Sequence, residues 1–335
     1  MQIQPEVNVE NELKRLLTEV TARRQTGPEE LWVHDAFDIT VLDIDGDNSR
    51  SVSTQQWEAI FSHCSLTTLN WCALPCTAEL FDIFASHPKL KLKTLILPGN
   101  VMLWRRDYVL QERHEPQPIS SSNRFAPVLY ACPNLTNLEV RLSDQRGDDQ
   151  GLLLGNSFLQ DIAKTCPKLE RLALVEASNH HGFGPSNAFT NEGIAMLVGL
   201  PRLHVLALHG VNCSSATLLS LATRTLSRSE PRMRIDVTLG GRGAVVVDIV
   251  ARFHETLLEL VDLLLLPGVN EYPGFVIHVQ LDTHNHTLPA MWEMRFMPEW
   301  SQLKRDLTRQ AGHISFSYDL IRTQATIECR ALAKS

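Results

Sequence analysis

Apolar residues recur at a fixed period through the middle of the chain. The stretches that begin at Cys132, Cys166 and Leu200 read CPNLTNLEV, CPKLERLAL and LPRLHVLAL, and each is followed by an apolar segment with helical spacing. Matching positions lie 34 residues apart in both intervals. Three matched units, each with a predicted strand and a predicted helix, indicate a solenoid in which successive units stack on one another.

The same pattern extends upstream in shorter units. The leucines of its predicted strands are Leu42, Leu69 and Leu95, which lie 27 and 26 residues apart, with predicted helices at residues 53–64 and 77–86 between them. We expect these leucines and their downstream counterparts to form one stacked apolar ladder beneath a parallel sheet. The ladder is Leu42, Leu69, Leu95, Leu138, Leu172 and Leu206. The residues on either side of each leucine then face outward on the opposite, concave side. One row of them runs across the strands from Asn70 and Ile96 to Ala173 and Ala207. The row beside it runs from Thr68 and Thr94 to Arg171 and Val205.

Downstream of residue 211 the pattern changes in two steps. Up to residue 268 it predicts a helix at 214–226, a strand at 233–237, a helix at 244–253 and a last repeat strand within 257–266. Beyond that, period-2 alternation predicts strands at 275–281, 292–296 and 314–318, with a helix that starts at Pro298. We therefore expect an N-terminal helical cap at residues 1–34, a solenoid at 35–268 and a small α+β capping module at 269–335.

The repeats resemble leucine-rich repeats of the longer kinds, those of ribonuclease-inhibitor-like proteins and the cysteine-containing repeats of F-box proteins. Residues 190–211, TNEGIAMLVGLPRLHVLALHGV, carry the resemblance most closely. It implies an α/β horseshoe with a parallel sheet on the concave face, helices on the convex face and a role in binding other proteins. The Leu-Pro-rich pattern of an F-box is absent. A ubiquitin-ligase substrate receptor with a degenerate or separately supplied ligase-binding segment is the related alternative.

Three long connections interrupt successive repeats at the same point, between strand and helix, at residues 101–118, 143–151 and 177–189. Equivalent positions of successive repeats lie side by side, so the insertions predict one continuous binding edge. Aromatic and arginine side chains, which dominate protein interfaces, are frequent in them. The predicted partner-binding residues are Trp104, Arg105, Arg106, Tyr108, Arg146, Asp148, His180, His181 and Phe183.

Charge, apolar runs and cysteine positions bear on the class of partner and on the cellular compartment. The 31 Lys and Arg residues against 38 Asp and Glu residues give a net charge of −7, which argues against nucleic acid as the partner. The longest apolar run, residues 257–266, is far shorter than a membrane span, and the first residues carry no targeting pattern. Cys64, Cys132 and Cys166 recur at the junction of helix and strand, which indicates reduced, buried thiols. We expect a cytoplasmic or nuclear protein.

One stretch suggests catalysis. Residues 39–48, ITVLDIDGDN, resemble the first motif of haloacid-dehalogenase-like phosphatases, in which Asp43 would be the nucleophile and Asp45 the general acid/base. The threonine of that motif is replaced by Asp47, and its downstream lysine and paired acidic motif are missing. The same residues satisfy the repeat template. Asp43, Asp45 and Asp47 also have the spacing of calcium ligands, but the glycine and glutamate of an EF-hand are replaced.

Two histidine pairs, His180 with His181 and His284 with His286, lack a second ligand pair at zinc-site spacing. GGRG at residues 240–243 is too short for a phosphate loop. We therefore expect neither a metal nor a cofactor. The chain is predicted to be a non-catalytic scaffold or adaptor that binds protein partners within a multi-subunit assembly.

The insertion edge makes a direct prediction. The double variant Trp104→Ala with Arg106→Ala should lose its co-purifying partner, because truncation of interface anchors costs most of the binding energy. Its thermal unfolding temperature should stay close to that of the parent, because exposed side chains contribute little to the core. Retention of the partner, or unfolding like that of a core mutant, would contradict the predicted edge.

Overall fold

The computed structural model describes residues 41–43, 57–58, 61–62, 66–70, 78–98, 125–142, 156–176, 189–211, 213–223, 232–240, 246–265, 274–282, 290–310, 313–319 and 324–330. The strands within these ranges are β1 (Val41–Asp43), β2 (Thr68–Asn70), β3 (Thr94–Pro98), β4 (Asn137–Leu142), β5 (Arg171–Glu176), β6 (Val205–His209), β7 (Met233–Gly240), β8 (Phe275–Asp282), β9 (Ile314–Asp319) and β10 (Gln324–Cys329). The helices are α1 (Ala78–Ser86), α2 (Phe125–Tyr130), α3 (Asn156–Thr165), α4 (Asn191–Met196), α5 (Ser215–Ala222), α6 (Val246–Leu264) and α7 (Ala290–Gln310), with a 3-10 turn at Leu197–Gly199.

All the described strands belong to one sheet. Strands β1 to β8 lie side by side in chain order and each pairs in parallel with the next. At the far end β10 pairs antiparallel with β8, and β9 pairs antiparallel with β10. The fold is therefore mixed α/β with a mostly parallel sheet.

The predicted register of the leucine ladder is confirmed. Leu42 pairs with Leu69, and the alignment continues through Leu95, Leu138, Leu172 and Leu206 to Ile235 and Ile277. From Leu69 onward every ladder side chain is buried, with at most 2% of its surface exposed. Each leucine packs on the equivalent leucine of the next strand, so the core is continuous from unit to unit.

A second ladder, made of backbone hydrogen bonds, runs along the starts of the strands. Four carbonyls each accept two consecutive N–H groups of the following unit, at N···O distances of 2.8 to 3.1 Å; they belong to Thr67, Lys93, Thr136 and Glu170. The carbonyl of His204 continues the series by accepting from the N–H of Arg234 at 2.7 Å. The register is thereby fixed before the first residue of each strand, where a slip would leave donors and acceptors unpaired.

The helices form one layer on the buried side of the sheet, and each helix contacts the next. Asparagine side chains join the starts of neighbouring helices. Asn156, the first residue of α3, accepts a hydrogen bond from the backbone of Thr190 at 3.0 Å and donates to its hydroxyl at 2.7 Å. Gly193 in α4 makes room for this contact, because a Cβ there would lie 2.1 Å from Oδ1 of Asn156.

The C-terminal strands continue the same sheet. Helix α6 contacts β7, β8 and α7, and α7 packs against β9. The indole N–H of Trp300 donates to Nδ1 of His254 at 3.0 Å, so Nε2 of His254 faces Glu299, at 2.8 Å. The ring of Trp300 also packs edge-on against Phe253 and Tyr318. A polar and aromatic cluster thus joins α6 to α7.

Three predictions for the second half were wrong. Residues 257–266 were predicted to contain a repeat strand, but α6 continues to Leu264. Leu257, Leu260 and Leu264 are buried in this helix at helical spacing. The apolar run that contains them fits the pattern of a repeat strand as well as that of a buried helix. Residues 292–296 form part of α7 instead of a strand, because alternation over five residues is too short to exclude a helix. That helix starts at Ala290, so Pro298 lies inside it and not at its first position.

The predicted domain boundaries stay a prediction. The proposed cap at residues 1–34 lies outside them. Strand β8, which belongs to the predicted C-terminal module, pairs in parallel with β7. The module therefore extends the sheet of the preceding units, and strand β10 within it was missed by sequence reasoning.

Leu172→Ala should lower the free energy of unfolding by about 2–5 kcal/mol, as truncation of a fully buried leucine does. Leu172 is 1% exposed at the centre of the ladder. Chemical denaturation of both chains measures the difference. Arg171→Ala is the matched control, because the neighbouring side chain is exposed and its loss should change stability little. Equal effects of the two substitutions would show that the ladder does not carry the stability.

Candidate interaction surface

The nine residues predicted to form the insertion edge lie outside the described residues, so that edge stays a prediction. The structure does show where the three insertions leave the sheet. They follow the carboxyl ends of β3, β4 and β5, which are neighbouring strands. Pro98 at the end of β3 pairs with Arg141, and Leu142 at the end of β4 pairs with Glu176. The three strands that precede the insertions therefore end side by side at one edge of the sheet.

The face of the sheet opposite the helices is a candidate interaction surface, and we call it the open face. Its side chains form rows that cross the strands, because parallel register aligns equivalent positions. One row consists of Asn70, Ile96, Glu139, Ala173, Ala207, Asp236, His278, Thr326 and Ser317. The row beside it consists of Thr68, Thr94, Asn137, Arg171, Val205, Arg234, Val276, Glu328 and Ser315.

None of the side chains in these two rows is buried, whereas the alternate side chains of the same strands are buried, apart from the partly buried Leu239 and Tyr318. The predicted outward direction of the residues between the ladder leucines is thus confirmed for strands β2 to β6. Sequence reasoning missed the continuation of both rows into β7, β8 and β10. The alternation of apolar and polar residues at 233–237 and 275–281 predicted strands there, but the second stretch was assigned to a separate C-terminal module.

The centre of the open face is small and apolar. Ala173 pairs with Ala207, and Val205 lies in the adjacent row. Small side chains let the backbone of a partner approach the sheet closely. This patch is flanked by Glu139 on one side and Asp236 on the other. Apolar area surrounded by charged and polar groups is the usual composition of a protein interface.

Charged pairs stabilise the C-terminal part of the same face. Nε of Arg234 contacts both carboxylate oxygens of Asp236, at 3.0 and 2.9 Å. Arg232 reaches Glu328 across the sheet at 3.2 Å. Both arginines are more than half exposed, so each pair contributes at most about 1 kcal/mol to stability. The pairs instead fix the direction in which these side chains are presented.

The phosphatase interpretation gains no support from the described residues. Asp43 ends β1, the first strand in the order of the sheet, and pairs with Asn70. Asp45 and Asp47 lie outside the described residues, so the phosphatase and calcium interpretations stay untested. The histidine pairs at 180–181 and 284–286 lie outside as well. Among the residues that the structure describes, no group of three or more His, Cys, Asp or Glu side chains could hold a metal ion.

The described cysteines are poor nucleophiles. Cys132 and Cys166 are buried at the junctions of helix and strand, as the repeat pattern predicts. Burial raises the pKa of Cys132 to about 12, an effect that Cys166 reinforces and Lys89 opposes. Burial also raises the pKa of Cys166 to about 11. These thiols stay protonated at neutral pH, so they serve packing and not catalysis.

No protein-family model matches the chain, and no curated protein matches it. In the part of the chain that the structure describes, we find no helix with both the length and the apolar character needed to cross a bilayer. The geometry of the open face is therefore the main guide to function.

The raised thiol pKa values predict slow alkylation. Iodoacetamide should leave Cys132 and Cys166 unmodified in the folded protein, and the rate should not rise between about pH 7 and about pH 9 as it does for an ordinary thiol. Because the pKa values are raised, the protonated state persists until the pH approaches about 11. Peptide mass spectrometry after timed labelling measures the modification. The denatured chain is the control, in which both thiols should react, and rapid labelling of either in the folded chain would contradict their burial.

Proposed function

We propose that the chain is a leucine-rich-repeat-like solenoid that acts as a non-catalytic scaffold or adaptor and binds a protein partner within a larger assembly. The observation that carries the proposal is the open face. It extends across strands β2 to β10 without a buried side chain in its two rows, and the described helices pack on the opposite side. A sheet surface of this extent is already ordered before a partner arrives, which reduces the entropy cost of binding.

Two features support a protein as the partner. The small apolar centre around Ala173 and Ala207 suits close packing against a side chain or backbone of another protein. Charges of both signs surround it, and Arg234 is neutralised by Asp236. Binding at the open face should accordingly depend little on salt, because screening affects mainly unbalanced charge.

Ala173→Arg tests the proposal. The new side chain would occupy the centre of the open face, so co-purification of partners from the native source should be lost. Folding should be preserved, because the position is not buried and an arginine there extends into solvent. Affinity purification with quantitative mass spectrometry measures partner recovery, and thermal unfolding checks the fold.

Gln160→Arg is the matched control, since Gln160 is exposed on α3 in the helical layer. It adds the same side chain on the other side of the molecule and should leave partner recovery unchanged. Equal recovery with both variants would exclude the open face. Magnesium-dependent hydrolysis of a generic phosphate ester that is abolished by Asp43→Asn would instead favour the phosphatase alternative.

A further inference from the structure

Four tight turns are stacked along the edge of the sheet where the strands start. Each turn links a helix to the following strand and is closed by a hydrogen bond from an N–H to the carbonyl three residues earlier, at 3.0 to 3.4 Å. The accepting carbonyls belong to Lys89, Cys132, Cys166 and Leu200. We use the name turn edge for these four turns together with the start of the strand that follows each of them. The turn edge comprises residues 90–94, 133–137, 167–171 and 201–205.

The first position of each turn presents an apolar residue to solvent. Leu90, Pro133, Pro167 and Pro201 occupy it, and all four are exposed. Proline suits this position because its fixed φ matches the turn and its missing N–H is not needed there. The row is therefore an exposed apolar strip held in a rigid backbone conformation.

An exposed aromatic residue adjoins this strip. The N–H of Lys89 donates to the carbonyl of Ala131 at 2.7 Å. Leu90 follows Lys89 in the chain and Tyr130 precedes Ala131, and these two residues are 64% and 66% exposed. They have the highest exposure among the large hydrophobic residues that the structure describes. Exposed apolar area is typical of interaction sites, and tyrosine is among the residues enriched in binding hot spots.

Cations line the apolar strip. The second turn position carries Lys91, Lys168 and Arg202, and the strand starts add Lys93 and Arg171. All five side chains are exposed, and the turn edge contains a single carboxylate, that of Glu170. At the second position of its turn, Asn134 replaces a cation and accepts a hydrogen bond from Nζ of Lys168 at 2.5 Å.

The spacing makes this a concentrated field of positive charge. Neighbouring strands lie about 4.8 Å apart, so four units span about 15 Å along the edge. A chain bound along the edge lies within about one Debye length, about 8 Å at physiological salt, of several of the five cations at a time, so their attractions add. Cations at opposite ends of the edge are screened from one another. The net charge of the whole protein is −7, so the edge differs sharply in sign from the molecule that carries it.

We propose that the turn edge binds an acidic segment of a partner protein, with carboxylates on the cations and an apolar or aromatic side chain against Leu90 and Tyr130. The charge complementarity and the apolar strip together select this occupant. A nucleic acid is the less favoured occupant, because single strands need several aromatic side chains on which bases stack. The described edge offers the imidazole of His204 and, beside it in the chain fold, the ring of Tyr130, and it has no Phe or Trp. A long polyanion would also experience the negative charge of the rest of the protein.

The test uses the full-length protein and two labelled peptides. One peptide is short and rich in Glu with interspersed Leu and Trp, and the other replaces each Glu by Gln. Fluorescence anisotropy should show binding of the acidic peptide only. Affinity should fall steeply between about 0.1 M and about 1 M salt, because screening weakens the attraction between exposed charges.

The charge-reversal variant Lys91→Glu, Lys168→Glu, Arg202→Glu should bind the acidic peptide at least about tenfold more weakly, since it replaces attraction by repulsion at three contacts. The matched control is Lys304→Glu, Arg305→Glu, Arg309→Glu, which makes the same change of charge at exposed positions of α7 and should bind like the parent. Tyr130→Ser should weaken binding several-fold with an unchanged salt dependence.

Three results would overturn the proposal: no binding of the acidic peptide by the parent protein, equal binding by the two triple variants, or tighter binding of a single-stranded oligonucleotide than of the peptide. If charge reversal unfolds the protein, the single variants Lys168→Gln and Lys304→Gln are compared in place of the two triple variants. Lys168→Gln should then bind the acidic peptide more weakly than Lys304→Gln. The turn edge meets the open face at the first residues of four strands, Thr94, Asn137, Arg171 and Val205. The three reversed cations lie in the turns, however, and Ala173 lies within β5. The charge-reversal variant therefore tests the turn edge, and Ala173→Arg tests the open face.

Discussion

In-register parallel pairing is the constraint on which the rest of the structure depends. The carbonyls at the strand starts each hold two N–H groups of the next unit, and the ladder leucines then meet one another directly beneath the sheet. A shift by one residue would turn every leucine toward solvent and every outward residue into the core. Hydrogen bonding and burial therefore demand the same alignment, and neither could be satisfied without the other.

Register also determines what the surface can do. A residue type that recurs at one position of the repeat becomes a row across the molecule, spaced by the distance between strands. The open face and the turn edge are both products of this rule, one from positions within the strands and one from the turns before them. Their characters differ because the strand positions alternate small, polar and paired charged groups, whereas each turn places an exposed proline or leucine first, followed in three of the four turns by lysine or arginine. We therefore expect binding at the two surfaces to respond differently to salt.

The sequence was sufficient to predict the structure wherever the period of the apolar residues agreed with their burial. Leu138, Leu172 and Leu206 were placed correctly because strand spacing, helix spacing and the recurring junction residue all agreed. It was insufficient where one local pattern satisfied two structures, as in the leucine-rich run of α6 and the short alternation that became part of α7. The turn edge was missed although Pro133, Pro167 and Pro201 and the basic residues near them are visible in the sequence. Their importance depends on stacking, which places residues distant in the chain about 5 Å apart.

The buried lysine has a further consequence for how the units recognise one another. Lys89 occupies the junction position that Cys132, Cys166 and Leu200 occupy in later units, and it is 5% exposed. Its ammonium group is satisfied by the carbonyls of Phe84 and His87, at the end of α1, and lies over the rings of Phe84 and Phe61, 4.8 and 5.7 Å from their centroids. Phe61 comes from the preceding unit. This junction therefore carries a cation–π contact between two units, whereas the three junctions that follow it pack buried, apolar side chains at the same position.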